Sequence, residues 1–293
     1  MDTPSATPHV IRISDLFHDA VALYRNRFSV FAAIMAVPLA IAFAGAFTRR
    51  QFIATIVLGL VSVLAYLFAY IALIAAAKGE NAEAAYRLGG SLFLSYAWVV
   101  FLTNLVNLGG LIMGFVPAVI FSIWFAFAPL ILIDAGSRGM EALLRSKEYV
   151  RGLWWPIFWR VIIVGILIGL FSVGIAKVSE LGNQSFAAYI GPAIVQFFAL
   201  PFVVTFGWVL YQNLKVLKPG LAGAPTQEKG KGFFIFSAVL GIVAPAILLT
   251  GVTIAYLSFL KDPCASYAAK RQPCPISPTN YPEEFFGSGN GAQ

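Results

Sequence analysis

Two ionisable side chains, Asp134 and Arg160, lie at or near the ends of long apolar segments and are the first candidates for chemistry. A charged group within a bilayer is costly, so its retention there usually serves a function. One interpretation is an ion pair between Asp134 and Arg160 at one membrane interface. The alternative is that each side chain is an interfacial anchor, with the Arg160 guanidinium extending towards the headgroups.

Three polar amide side chains are the next candidates, because they lie inside the apolar segments rather than at their ends. Asn104, Asn107 and Gln196 could line a polar cavity through which a solute or a lipid passes. The alternative is that these amides form hydrogen bonds between packed helices, as polar side chains in membranes often do.

Motifs for catalysis are absent from the sequence. It has two histidines, His9 and His18, and both precede the first apolar segment. It contains no His-Glu-x-x-His zinc motif, no phosphate-binding loop ending in Gly-Lys-Ser/Thr and no Gly-x-Ser-x-Gly nucleophile motif. We therefore predict a protein that is not an enzyme, with no catalytic residue, no cofactor and no bound metal ion.

Both cysteines, Cys264 and Cys274, lie in the C-terminal tail. If the tail is extracytoplasmic, its oxidising surroundings favour a disulfide between them. The alternative is a pair of free thiols in a cytoplasmic tail. A metal site is less favoured, because no histidine or further cysteine lies nearby.

Long apolar helices are the elements that must position these residues. Charged residues make up 11% of the 293 residues, less than half of the roughly 25% typical of soluble domains. The apolar runs reach the roughly 20 residues that a membrane-spanning helix needs, and they do not alternate as barrel strands do. The fold class is therefore all-α, a polytopic transmembrane helix bundle with amphipathic interfacial helices. About seven spans are predicted, with six as the alternative, at 28–47, 52–77, 91–109, 114–133, 155–176, 188–213 and 233–260.

Glycine marks the boundary between the third and fourth spans. Gly109, Gly110 and Gly114 weaken a helix there and permit a tight turn. Small residues at four-residue spacing predict where spans pack together, since they let helix backbones approach. Such pairs are Gly165 with Gly169 and Gly251 with Ala255.

Positive charge predicts the orientation of the chain. With the N-terminus inside, fourteen of the twenty Lys and Arg residues fall on the cytoplasmic side, as the positive-inside rule requires; Arg49 and Arg50 oppose it. The net charge of +7 then faces anionic headgroups, and no nucleic-acid partner is needed to explain it. The chain divides into a cytoplasmic amphipathic segment 1–27, a transmembrane domain 28–260 and an extracytoplasmic tail 261–293.

Amphipathic helices are predicted on the inner face. Apolar residues recur at helical spacing over 13–28 and again over 139–155, with a weaker third copy over 83–96. A helix of this kind can lie flat in the headgroup layer before the chain enters the bilayer.

The stretch from Leu108 to Gly165 resembles a bacterial membrane-domain family, the membrane portion of glycerophosphoryl diester phosphodiesterases. The matching features are Pro117, the run Phe125 to Pro129, and the run Ala142 to Ser146 followed by Gly152, Trp154 and Trp155. Ala118 stands where the family pattern has Gly. The resemblance implies a multi-helix bundle without phosphodiesterase activity, since that chemistry belongs to a separate soluble domain.

These features predict a non-enzymatic integral protein of the bacterial inner membrane that is an envelope scaffold or a partner in a membrane complex. The alternative is a transporter or lipid-handling protein with a polar intramembrane cavity. Membrane lipids, with anionic headgroups at the inner face, are expected partners, together with another membrane protein or a second copy of the chain.

Overall fold

The computed structural model describes residues 11–47, 52–180, 184–221 and 231–261, and within these ranges the chain is an all-α polytopic bundle. Seven segments of the described chain are long and apolar enough to cross a membrane. The helices are α1 (Ile13–Asn26), α2 (Phe28–Phe47), α3 (Phe52–Lys78), α4 (Ala82–Met113), α5 (Phe115–Phe125), α6 (Ala128–Ala135), α7 (Met140–Val150), α8 (Trp154–Glu180), α9 (Gln184–Leu217) and α10 (Lys231–Lys261), with a short 3-10 turn at Pro219–Leu221.

The centre of the bundle is the C-terminal half of α3. Every residue from Ile71 to Ala77 is buried, and α2, α4, α6 and α9 all pack against α3. Alanine makes up much of the segment. Its small side chain lets neighbouring helix backbones approach closely, and this packing matters because water exclusion does not drive helices together in a membrane.

Helix α4 extends well beyond the predicted third span at both ends. It begins at Ala82, where the Asn81 side chain accepts a hydrogen bond from the Ala84 N–H at 2.9 Å, a regular N-cap. The weak amphipathic copy over 83–96 is therefore the first part of this helix and not a separate interfacial element.

The turn between the third and fourth spans occurs at Gly114 and not at the Gly109–Gly110 pair. Gly114 alone separates α4 from α5, and its φ of +137° is a conformation that side-chain-bearing residues rarely adopt. Gly109 and Gly110 remain helical. Their lack of a side chain serves packing instead, since a Cβ on Gly110 would lie 2.6 Å from the Phe121 ring.

Helix α10 is attached to the bundle mainly through α4, at a crossing made by small residues. A Cβ on Gly109 would lie 1.8 Å from the Ser237 carbonyl oxygen, and one on Gly241 would lie 2.3 Å from that of Leu105. The Ser237 hydroxyl donates to the Val106 carbonyl across the same contact at 3.0 Å. The backbones touch here because three small residues face one another.

The small-residue pairs predicted as packing faces are not used within the described chain. Gly165, Gly169 and Gly251 are exposed, and no atom of another described element lies within 4 Å of a hypothetical Cβ on any of them. Four-residue spacing identifies a smooth helix face, but it does not identify whether another helix lies against it.

Helix α1 packs its apolar face against α9. Leu16 and Ala20 are fully buried, and the Phe17 ring lies 5.3 Å from that of Phe206. At its start, the Ile11 N–H donates to the Asn213 side chain at 3.3 Å. The apolar face of this amphipathic helix therefore packs on protein, and its position in the headgroup layer stays a prediction.

The fourth span is interrupted at Ala126–Phe127, so that α5 and α6 together replace one predicted helix. Pro129 is the second residue of α6, a position where its missing N–H removes no hydrogen bond from the helix. Ser146 of α7 serves the break: its hydroxyl donates to the Trp124 carbonyl at 2.6 Å and accepts from the Phe127 N–H at 3.2 Å. An interrupted helix within a membrane protein needs such substitutes for its lost backbone bonds.

We expect Ser146→Ala to destabilise the protein by about 2 kcal/mol, because it leaves a buried N–H and a buried carbonyl without partners. The free energy of unfolding in a mixed-micelle SDS titration measures this. The matched control is Ser122→Ala, since the exposed Ser122 hydroxyl donates only to Val119 of its own helix. Equal stability of the two variants would contradict the capping role of Ser146.

Candidate functional site

Charged helix ends from distant parts of the chain converge at one end of the bundle, which we name the polar cap. It comprises Lys78 at the end of α3, Asp134 in the last turn of α6, Tyr211 and Lys215 on α9, and the bridging residues Lys218 and Arg27. Tyr211 and Lys215 are four residues apart, so α9 presents both side chains on one face. Lys78 and Lys215 also lie in the last turns of their helices, where the helix dipole favours a cation.

Asp134 is the centre of the polar cap. Its Oδ2 lies 2.7 Å from Lys215 Nζ and accepts a hydrogen bond from the Tyr211 hydroxyl at 3.2 Å. Its Oδ1 lies 3.5 Å from Lys78 Nζ. Only 11% of the carboxylate side chain is exposed, against 42% for Lys78 and 31% for Lys215. One mostly buried anion therefore joins three helices.

Asp134 and Arg160 do not form the ion pair considered from the sequence. The Asp134 carboxylate takes Lys215 and Lys78 as its cations, because α6 ends beside α3 and the C-terminal turns of α9. No local pattern distinguishes among the several interfacial cations that could pair with this carboxylate. The lysines at 78 and 215 were available in the sequence, but their proximity to Asp134 depends on helix packing.

Arg160 instead joins α8 to the segment before α1. Its guanidinium donates to the carbonyl of Pro156 at 2.7 Å and to the carbonyl of Ile11. The residue is 8% exposed, so it is buried in the protein. Its contact with Ile11 contributes to holding the start of α1 against α8 and α9.

Two further contacts complete the polar cap. Lys218 Nζ donates to the carbonyls of Glu148 at 2.7 Å and Arg151 at 2.6 Å, which joins the end of α9 to the α7–α8 turn. Burial lowers the pKa of the Lys218 ammonium, with Glu148 acting in the opposite direction. Arg27 Nη1 donates to the Glu80 carbonyl at 3.0 Å, which joins the α1–α2 junction to the α3–α4 turn.

The three amides predicted as cavity lining are not brought together in one cavity. Asn104 is exposed, and its Nδ2 donates to the Val100 carbonyl of its own helix at 2.8 Å. Gln196 is exposed on α9. Asn107 is partly buried, and its buried Oδ1 has no hydrogen-bond partner within the described residues. Two of the three therefore face outward.

An apolar groove of about 440 Å³ lies between α8 and α9, and sequence analysis missed it. Its lining residues are Tyr24, Leu167, Ile168, Phe171, Phe198, Ala199 and Phe202. The four-residue spacings of Leu167 with Phe171 and of Phe198 with Phe202 were visible in the sequence. In a chain so rich in apolar residues, however, this spacing does not separate a groove from a packed interface.

The remaining candidates are isolated or lie outside the described residues. His18 is 86% exposed and lies 3.7 Å from Asp19 of the same turn. Across the described ranges, no three metal-ligating side chains of the His, Cys, Asp or Glu type come together. His9, Cys264 and Cys274 lie outside those ranges, so the disulfide stays a prediction.

Comparisons with models of protein families, with curated proteins and with solved structures found no match for this chain. The fold is therefore described from the features of this chain alone. Its seven apolar helices make it a multi-pass integral membrane protein, with a hydrogen-bonded and ion-paired polar cap at one end and an apolar groove in its side.

Proposed function

We propose that the protein is a non-enzymatic scaffold or complex partner in the bacterial inner membrane, and that the polar cap is its docking platform. The observation that carries the proposal is the joining of separate segments at that end. Asp134 links α3, α6 and α9, while Lys218 and Arg27 tie in the α7–α8 turn and the α1–α2 junction. A rigid surface loses little conformational freedom when a partner binds, which favours affinity.

The outward side of this platform carries charges that a partner can engage at low cost. Glu83 and Arg87 form an ion pair at 2.8 Å, with side chains 82% and 79% exposed. Arg151 lies 3.6 Å from Glu148 and is 69% exposed. Exposed pairs contribute little stability, so they can exchange their contacts for those of a partner.

The orientation that we propose places the polar cap in the cytoplasm. The cap gathers at one end of the bundle the cations Lys78, Lys215 and Lys218, all assigned to the cytoplasmic side by the positive-inside rule. There they would also face anionic headgroups.

Cysteine labelling tests this orientation. We expect Arg87→Cys to react with a membrane-impermeant maleimide only in inside-out vesicles. The native Cys264 and Cys274 should react only from the periplasmic side, and only after reduction, because oxidising surroundings favour their disulfide. A variant with both tail cysteines replaced by serine gives the background for Arg87→Cys. Labelling with the opposite sidedness would reject the cytoplasmic cap.

Site-specific photocrosslinking tests the scaffold role in intact cells. A benzophenone amino acid at Arg87 or Arg151, both exposed on the outward side of the polar cap, is expected to give one discrete protein adduct, with a mass that distinguishes a foreign partner from a second copy. The matched control is position Phe52, which is 79% exposed but lies at the far end of α3. The polar cap would be rejected as a docking platform if neither cap position gave a protein adduct, or if Phe52 alone gave one.

A further inference from the structure

The α8–α9 groove is bounded by carbon-rich side chains from membrane-spanning segments. Leu167, Ile168 and Phe171 belong to the span from Trp154 to Val178, and the α9 side of the groove belongs to the span from Ile190 to Leu217. The Tyr24 hydroxyl is the only polar side-chain group among the lining residues. A ligand here would therefore be recognised by shape and dispersion contacts.

Tyr24 of α1 stands at the end of the groove nearer the polar cap. Its ring centroid is 6.3 Å from that of Phe202, which is the α9 lining residue closest to the cap in sequence. Helix α1 covers α9 from there to Asn213. The groove is thus the part of the α8–α9 seam that α1 leaves open, and it faces the lipid.

The volume of the groove selects a narrow occupant. At about 440 Å³, it is within the range of small-molecule pockets, roughly 300–1,000 Å³. An α-helix with its side chains is about 10–12 Å wide and rises 5.4 Å per turn, so this volume accommodates about one turn. A hydrocarbon chain is thin, flexible and already present at this depth.

We propose that this groove binds one acyl chain of a bilayer phospholipid, with Tyr24 at the end of the groove nearer the polar cap. The occupant follows from the carbon lining, the membrane depth and the volume together. This site is independent of the scaffold role, and either proposal can fail without the other.

Native mass spectrometry tests the site on the full chain. The protein is reconstituted in vesicles of palmitoyl-oleoyl phosphatidylglycerol and phosphatidylethanolamine, extracted in detergent and exchanged into lipid-free detergent. We expect the wild type to retain one phospholipid per chain. Ala199→Trp projects a bulky ring into the groove. Because packing contacts rather than water exclusion would hold the acyl chain there, the loss of this space is expected to lower lipid retention on the order of tenfold.

The matched control is Ala255→Trp, which adds the same side chain on an exposed stretch of α10. It should retain the lipid as the wild type does. Ala199→Leu, a smaller change, replaces the tryptophan variant if the latter does not fold. Equal lipid retention by the groove variant and the control, or no retained lipid in the wild type, would overturn the proposal.

Photolabelling shows where the acyl chain binds. The protein is reconstituted in vesicles of the same composition, doped with a phosphatidylglycerol that carries a diazirine midway along one acyl chain. It is then exchanged into lipid-free detergent, irradiated and digested. Adducts of the retained lipid should fall on Leu167–Phe171 and Phe198–Phe202. Surviving adducts distributed equally onto α10 at Leu248 would show ordinary surface lipid and would also overturn the proposal.

Discussion

Gly109→Ala is expected to separate α10 from α4 and to lower the free energy of unfolding by about 3 kcal/mol, at the upper end for overpacked sites. The added Cβ would lie 1.8 Å from the Ser237 carbonyl oxygen and 2.6 Å from its carbon. Both are backbone atoms, so no side chain can rotate away and a helix must move. The hydrogen bond from Ser237 to Val106 should be lost in the same movement.

The measurement is an SDS unfolding titration of the purified chain in mixed micelles, with accessibility of the α4–α10 crossing to limited proteolysis as a second readout. Gly251→Ala is the matched control on α10. No atom of another described element lies within 4 Å of its hypothetical Cβ, and alanine favours helix over glycine by up to about 1 kcal/mol. If Gly109→Ala were as stable as Gly251→Ala, the close α4–α10 crossing would be wrong.

Asp134→Leu is the second large expected effect, a destabilisation of about 2 kcal/mol. Removing one member of a fully buried pair costs about 3–5 kcal/mol, while exposed pairs contribute about 0–1 kcal/mol. Asp134 lies between these limits, since the carboxylate is mostly buried but both lysines are partly hydrated. The Tyr211 hydroxyl loses its acceptor as well.

A double-mutant cycle isolates the pair. The double variant Asp134→Leu with Lys215→Met should lose less free energy of unfolding than the sum of the losses in the two single variants. We expect a coupling of about 1 kcal/mol, as for residues in contact. Glu83→Gln is the surface control, because it breaks an exposed pair, and we expect a change below about 0.5 kcal/mol. Strict additivity at Asp134 and Lys215 would contradict the role of Asp134 as the centre of the polar cap.

Much of the fold was accessible from local pattern. The predicted second span, 52–77, agrees with α3 to within one residue, since a charge-free run of that length leaves a spanning helix as the only way to satisfy its backbone groups. The amphipathic segments 13–28 and 139–155 correspond to α1 and α7. In each of these cases the information lies within one helix.

Predictions about contacts between two helices were wrong more often. Gly109 was interpreted as a turn residue, but it lies within α4, where Ser237 of α10 occupies the space that a side chain would need. Gly165 and Gly169 were interpreted as a contact, but no helix of the described ranges lies against them. Local sequence describes the shape of a helix face, whereas occupancy of that face depends on a segment elsewhere in the chain.

The candidate site follows the same division. Run length and charge distribution were enough to establish seven membrane helices and to assign Lys78, Asp134 and Lys215 to one side, because both are sums along the chain. The pairing of Asp134 with two lysines, the docking of α1 on α9 and the open groove beside Tyr24 arise from the relative placement of helices. In a bilayer that placement is set by packing contacts between segments far apart in sequence, and no local pattern contains them.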